Sequence, residues 1–171
     1  MAIEQPIMIT PRAPGKAATG CFAIISVAIY LVPEGAHFFE LFNKMALPAN
    51  EYMIVQRIYD GWAFFGFAIA AALILTLAHM VATWRERAAR WLSLLSFLLL
   101  AATQVVFWVF IYPMNALTRN WTVMPDNLEV VRRQWEYAHA VNAGLSLLAL
   151  ALIVAAALPG RRRANAVVRK T

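Results

Sequence analysis

Two copies of one short pattern hold the side chains in this sequence best suited to chemistry. Glu34-Gly35-Ala36-His37 and Glu136-Tyr137-Ala138-His139 are both Glu-x-x-His, and each lies in or beside a long apolar run. Residues three apart share a helix face, so each pair sets a carboxylate and an imidazole side by side. Ionisable groups at membrane depth are costly, face a bundle interior and mark functional sites. Two such pairs on two helices point to a metal or proton-transfer site inside a membrane bundle.

The elements that must position them follow from apolar length. The chain has 171 residues, 62% hydrophobic and only 14% charged, far from the averages of soluble domains. A spanning helix needs roughly 20 apolar residues, and four stretches qualify. Helices are expected at about 18–44, 51–84, 90–116 and 127–158. The short links at 45–50 and 85–90 force antiparallel neighbours. The expected fold is therefore an all-α, antiparallel four-helix transmembrane bundle over 18–159. A flexible lead at 1–17 precedes it and a basic tail at 160–171 follows. Pro33 predicts a kink directly before Glu34. Asp126, with Glu129 three residues on, predicts a capping box for the last helix, and Pro159-Gly160 its stop.

The net charge of +6 does not point to nucleic acid once its distribution is read. Arg12, Lys16, Arg85, Arg87, Arg90, Arg161, Arg162, Arg163, Arg169 and Lys170 all fall on one side of a four-span arrangement. Seven of the nine acids fall on the other side: Glu34, Glu40, Glu51, Asp60, Asp126, Glu129 and Glu136. The positive-inside rule then places both termini in the cytoplasm, as in a multi-pass protein of the inner membrane. The lipid bilayer is the first expected partner, and anionic headgroups suit the basic tail. The first apolar run is too long for a cleavable signal, with no clear small-x-small site after it. The lone Cys21 excludes an intramolecular disulfide and is expected to pack.

Each expected helix brings polar groups to one level. Glu34 and His37 fall in the outer half of the first, and Gln56, Arg57 and Asp60 in the same half of the second. On the third, Gln104, Trp108, Tyr112 and Asn115 form one stripe. On the fourth, Arg132, Glu136, His139, Asn142 or Ala143, and Ser146 do the same. Glu136 lies about 15 Å beyond Asp126 at 1.5 Å per residue, a third to half of the way across the hydrocarbon.

Three readings stand side by side. Glu34, His37, Glu136 and His139 suit one transition metal ion, iron, copper, manganese or zinc. The di-iron template needs a glutamate from each of two further helices; only Asp60 is offered, so a mononuclear site fits better. Alternatively His37 and His139 are axial ligands of a haem. Third, Glu34, His37, Glu136, His139, Arg57 and Arg132 neutralise one another in a buried network that holds the helices together or relays protons. Asp60, Arg57 and Tyr112 are the expected supporting residues. His79 is expected to be structural or interfacial, and Glu40 to pair with Lys44 at i, i+4. Trp62, Trp108, Trp121 and Trp135 are expected to pack or to sit at the interface, Trp121 at the headgroup level. Trp108 and Trp135 also suit the wall of an aromatic pocket. Arg119 and Asn120 suit either an outer gate or a solvated loop.

Several segments carry a family resemblance. Ala36-His37-Phe38-Phe39-Glu40-Leu41-Phe42-Asn43-Lys44, Tyr59-Asp60-Gly61-Trp62, Asn115-Ala116-Leu117-Thr118-Arg119-Asn120-Trp121-Thr122 and Trp135-Glu136-Tyr137-Ala138-His139-Ala140 are similar to the DUF1772, or anthrone oxygenase-like, family of small four-helix membrane proteins. The likeness spans roughly residues 20 to 158. It implies a four-helix membrane fold and, from fungal relatives that convert an anthrone to an anthraquinone, an oxygenase. The leading expectation is a membrane oxidoreductase acting on a hydrophobic aromatic or quinoid small molecule. In it His37, His139, Glu136, Asp60, Arg57 and Tyr112 take part in catalysis, and Glu34, His37, Glu136 and His139 bind metal or move protons. The alternative is a non-catalytic carrier or assembly subunit whose polar cluster is structural, a homo-oligomer included.

Overall fold

A computed structural model describes residues 13–158. It is all-helical, with no strand among the described residues. Four helices are long and apolar enough to cross a membrane: Pro14–Met45, Trp62–Ala82, Arg87–Leu117 and Leu128–Ala157. We number the helices α1 (Pro14–Met45), α2 (Ala49–Gln56), α3 (Trp62–Ala82), α4 (Arg87–Leu117) and α5 (Leu128–Ala157). The first turn of α3, Trp62–Phe65, is a 3-10 turn.

α1 starts four residues earlier than expected, because Pro14 sits in its first turn, where proline's missing N–H costs nothing. It runs unbroken through Pro33 to Met45. The rest of the expected lead, the Pro159-Gly160 stop and the basic tail lie outside the described residues. α5 begins after Asn127, and no side chain caps it. The expected capping box is absent because Glu129 turns instead to Arg132, 2.6 Å from its Nη2.

The helix expected over 51–84 is broken in two. α2 ends at Gln56, a 3-10 turn spans Arg57–Tyr59, and Gly61 adopts φ +87°. A left-handed backbone suits glycine, which has no Cβ to clash. Asp60-Gly61 is a turn signal that the surrounding apolar residues mask. α2 is thus a short helix on the link between α1 and α3.

α4 has its own irregularity. Phe107–Ile111 form a π turn in which Tyr112 N–H bonds Phe107 O. Pro113 follows directly and cannot donate to the carbonyl four residues back. The extra residue of a π turn shifts all later side chains by about 100° around the axis. That shift splits the stripe expected on this helix. Trp108 and Tyr112 are 59% and 48% exposed, while Asn115 turns inward to Trp121 and Trp135.

The core has two parts. One gathers Ala23, Val27, Tyr30, Ile69, Ala72, Leu100, Ala149 and Ile153 from α1, α3, α4 and α5. Small residues let these backbones approach closely, and Ser96 Oγ donates across to Ala149 O at 2.8 Å. The other gathers Tyr52, Ile111, Trp121, Leu128, Val131 and Trp135. Trp121 is buried here, where Arg119, Asn120 and Trp121 all take positive φ. That left-handed turn folds the indole back so that its N–H donates to Asn115 Oδ1 at 3.1 Å. Large apolar side chains such as Phe22, Phe39, Phe67, Ile74 and Leu147 face outward, as lipid contact requires. Cys21 is also exposed and does not pack.

Gly20 marks the tightest crossing. A Cβ there would lie 3.0 Å from His79 Cε1 and 3.1 Å from Ala157 Cβ. His79 is fully buried at this crossing, with Nδ1 3.1 Å from Thr19 Oγ1. Gly20→Val is expected to cost about 1–3 kcal/mol by overpacking, visible as a lower unfolding temperature in detergent. An unchanged temperature would show that this crossing tolerates separation.

Candidate functional site

The two Glu-x-x-His motifs meet, but crosswise. Glu34 on α1 reaches His139 on α5, with Oε2 2.8 Å from Nδ1. An ionised carboxylate only accepts, so with Glu34 ionised the imidazole donates from Nδ1. Tyr30 donates to the other Glu34 oxygen at 3.3 Å and also contacts Thr103 Oγ1 on α4 at 3.0 Å. Glu136 does not pair with a histidine. Its Oε1 lies 2.9 Å from Lys44 Nζ and accepts from Tyr52 at 2.9 Å and Gln56 Nε2 at 3.3 Å.

Glu34, His37, Lys44, Glu136 and His139 are all at most 7% exposed. Two charges buried together in a low-dielectric interior stabilise the fold only when further hydrogen bonds satisfy them. Lys44 meets that condition. Beyond Glu136 it donates to Tyr59 Oη at 3.0 Å, lies 3.7 Å from Glu40 Oε2, and sits 4.7 Å and 5.1 Å from the Tyr59 and Trp135 ring centroids. Tyr59 in turn donates to Glu40, and Gln56 donates to Tyr52. Burial pushes the Tyr52 and Tyr59 hydroxyls well above the usual phenol range, and the carboxylates they touch add to it. Both therefore remain proton donors.

His37 is held differently. Its ring centroid lies 4.1 Å from that of His139, 4.3 Å from Tyr59, 4.8 Å from Trp135 and 5.8 Å from Trp62. Its Nδ1 is buried and has no hydrogen-bond partner. Glu136 Oε2, Gln56 Oε1, both amide atoms of Asn142 and Ser146 Oγ share that condition. Asn115 Oδ1 holds the Trp135 indole in place by accepting from its Nε1 at 2.8 Å.

Among the described residues no group of three or more His, Cys, Asp or Glu side chains is gathered so as to hold a metal ion. Lys44 already places a cation on Glu136, and Glu34 holds the Nδ1 of His139. Nor do the histidines fit as axial haem ligands, since rings 4.1 Å apart leave no plane for a macrocycle between them.

Of the expected supporting residues, Arg57 and Asp60 pair with each other at 2.9 Å on the surface, with side chains 56% and 53% exposed. The break at Gly61 points them away from the cluster. Tyr112 stacks on Trp108 outside, carried there by the π turn. Arg132 is buried and donates to Leu47 O at 2.9 Å, tying α5 to the α1–α2 link. Arg119 and Asn120 are exposed on the loop. Gln56, expected at this level, does join the site; Lys44, Tyr52 and Tyr59 belong to it without having been singled out by pattern. Lys44 was the most legible of them, as a charge at the end of an apolar run.

No protein-family model, curated protein or solved structure matches this chain.

Proposed function

We propose that this chain is a multi-pass inner-membrane protein, an antiparallel bundle with both termini cytoplasmic. Its outer-half cluster does acid–base chemistry on a hydrophobic aromatic or quinoid molecule. The observation that supports this most is His37, a buried imidazole with an unpartnered Nδ1, set among Tyr59, Trp62 and Trp135. Such a nitrogen can take a proton from an activated C–H or O–H group, and aromatic walls suit a flat apolar substrate. Glu34 orients His139 beside it, and Lys44 with Glu136 supplies a second donor–acceptor pair.

The resemblance to anthrone oxygenase-like proteins supports an oxidation. In that reading an activated CH2 gives up a proton to the imidazole, and the resulting carbanion reduces dioxygen. One oxygen atom stays as a carbonyl and the other leaves as water. Proton transfer, rather than metal binding, is the role we assign to the cluster.

The test is oxygen uptake by the detergent-purified, chelator-treated protein with an anthrone as probe. Uptake above the protein-free rate, at metal content well below one ion per chain, is the expected result. Uptake no faster than without protein overturns the reading. It would favour a structural role instead, which the mutual pairing of Lys44 with Glu136 and of Glu34 with His139 supports.

A further inference from the structure

A groove on the outward face of α5 takes no part in the cluster. Glu129, Val130, Arg133, Gln134 and Tyr137 line it. Beside it runs the π turn of α4, tied to the groove where Gln134 Nε2 donates to Phe110 O at 3.2 Å. Val130 and Tyr137 in the lining, and Phe110 beside it, are 63%, 51% and 46% exposed, so apolar surface flanks the polar side chains of the groove and is open to the surroundings of the bundle.

Arg133 is the anomaly in this groove. It is exposed and forms no ion pair among the described residues. The nearest acid in the lining, Glu129, is already held by Arg132 through Nε at 2.8 Å and Nη2 at 2.6 Å. Arg133 stands about 8 Å along the axis from the start of α5, four residues before the apolar run that begins at Tyr137, so in a spanning α5 it falls toward the headgroup level. An unpaired guanidinium at that level is placed to meet an anion. A guanidinium matches phosphate oxygens two at a time.

We propose that this groove binds an anionic phospholipid, its phosphate on Arg133 and one acyl chain along Val130, Tyr137 and Phe110. An anionic lipid is favoured over a zwitterionic one, because the latter brings its own cation to the headgroup and offers no net charge to balance Arg133. The inference rests on α5 being a membrane span. It does not depend on the acid–base reading of the cluster, and its test uses no substrate.

The test is native mass spectrometry of the delipidated full chain with phosphatidylglycerol or phosphatidylcholine of matched acyl chains. Wild type is expected to retain phosphatidylglycerol about tenfold more tightly than phosphatidylcholine, as a charge-assisted contact implies. Arg133→Gln is expected to retain one phosphatidylglycerol fewer than wild type, and Arg133→Lys to keep it. Arg90→Gln, at the other end of α4, removes a basic side chain elsewhere and leaves the Arg133-dependent lipid in place. Equal retention of the two lipids by wild type, or an unchanged count in Arg133→Gln, overturns the proposal. If those results came with normal oxygen uptake, the groove assignment would fail while the acid–base reading stood.

Discussion

Glu136→Ala is expected to be the most destabilising single substitution in the described part of this protein. The carboxylate is fully buried and is the shared acceptor for Lys44, Tyr52 and Gln56. Its removal leaves the Lys44 ammonium, itself 3% exposed, without its principal counterion. Breaking a buried pair by deleting one partner costs about 3–5 kcal/mol. Glu136→Gln keeps an acceptor for Tyr52 and should cost less. Replacing both partners, as Lys44→Met with Glu136→Met, removes the uncompensated charge, so the double variant should unfold at a higher temperature than Glu136→Ala. Thermal unfolding in detergent of all three decides it. A double variant weaker than Glu136→Ala would mean that the surrounding phenols and Gln56, not the charge pair, hold this part of the fold.

His37→Ala should behave in the opposite way. No hydrogen bond anchors His37 Nδ1, so its loss strands no buried partner, and the fold loses mainly ring contacts. If the imidazole is the proton acceptor, turnover should drop by about 10²–10⁴, the usual contribution of a positioned base. The unfolding temperature should fall less than in Glu136→Ala. His139→Ala should lose turnover as well, while leaving Glu34 without its imidazole. Comparing oxygen uptake with unfolding temperature across these variants separates the roles. Full turnover in His37→Ala would remove the base from the mechanism.

The spans were legible because apolar length is a local property. Ala18 onward, Gly61 to Trp84, Trp91 to Thr118 and Tyr137 onward needed no tertiary information. The burial of Arg132, Glu136, His139, Asn142 and Ser146 on one face of α5 also followed from a single helical period. What failed were three inward placements, of Arg57, Asp60 and Tyr112, that assumed uninterrupted helices; Gln56 and Asn115, placed on the same assumption, do face the interior. Arg57 and Asp60 were assigned inward by a register that Gly61 breaks, and Tyr112 by one that the π turn before Pro113 rotates. Both interruptions carry local signals, Asp60-Gly61 and Pro113, outweighed by the apolar residues around them. The partner choices were illegible for a different reason. Lys44 has Glu40 within reach on its own helix at 3.7 Å, yet its closer partner is Glu136 at 2.9 Å, on another helix. Nothing in the spacing of either motif distinguishes Glu34 with His37 from Glu34 with His139.

The irregular backbone of this protein has one further consequence. The bend at Arg57–Phe65, the π turn at Phe107–Ile111 and the left-handed turn at Arg119–Trp121 all lie toward the same end as the cluster, whereas Gly66–Ala82 and Arg87–Val106 run without a break toward the other. Amide protons should therefore exchange in two regimes. Those of the regular half should wait for global opening, and those around the bend and the two turns should exchange through small local openings of much lower free energy. The chain would then combine a rigid root with a breathing crown, and a ligand arriving from the bilayer would meet the end that can yield to it.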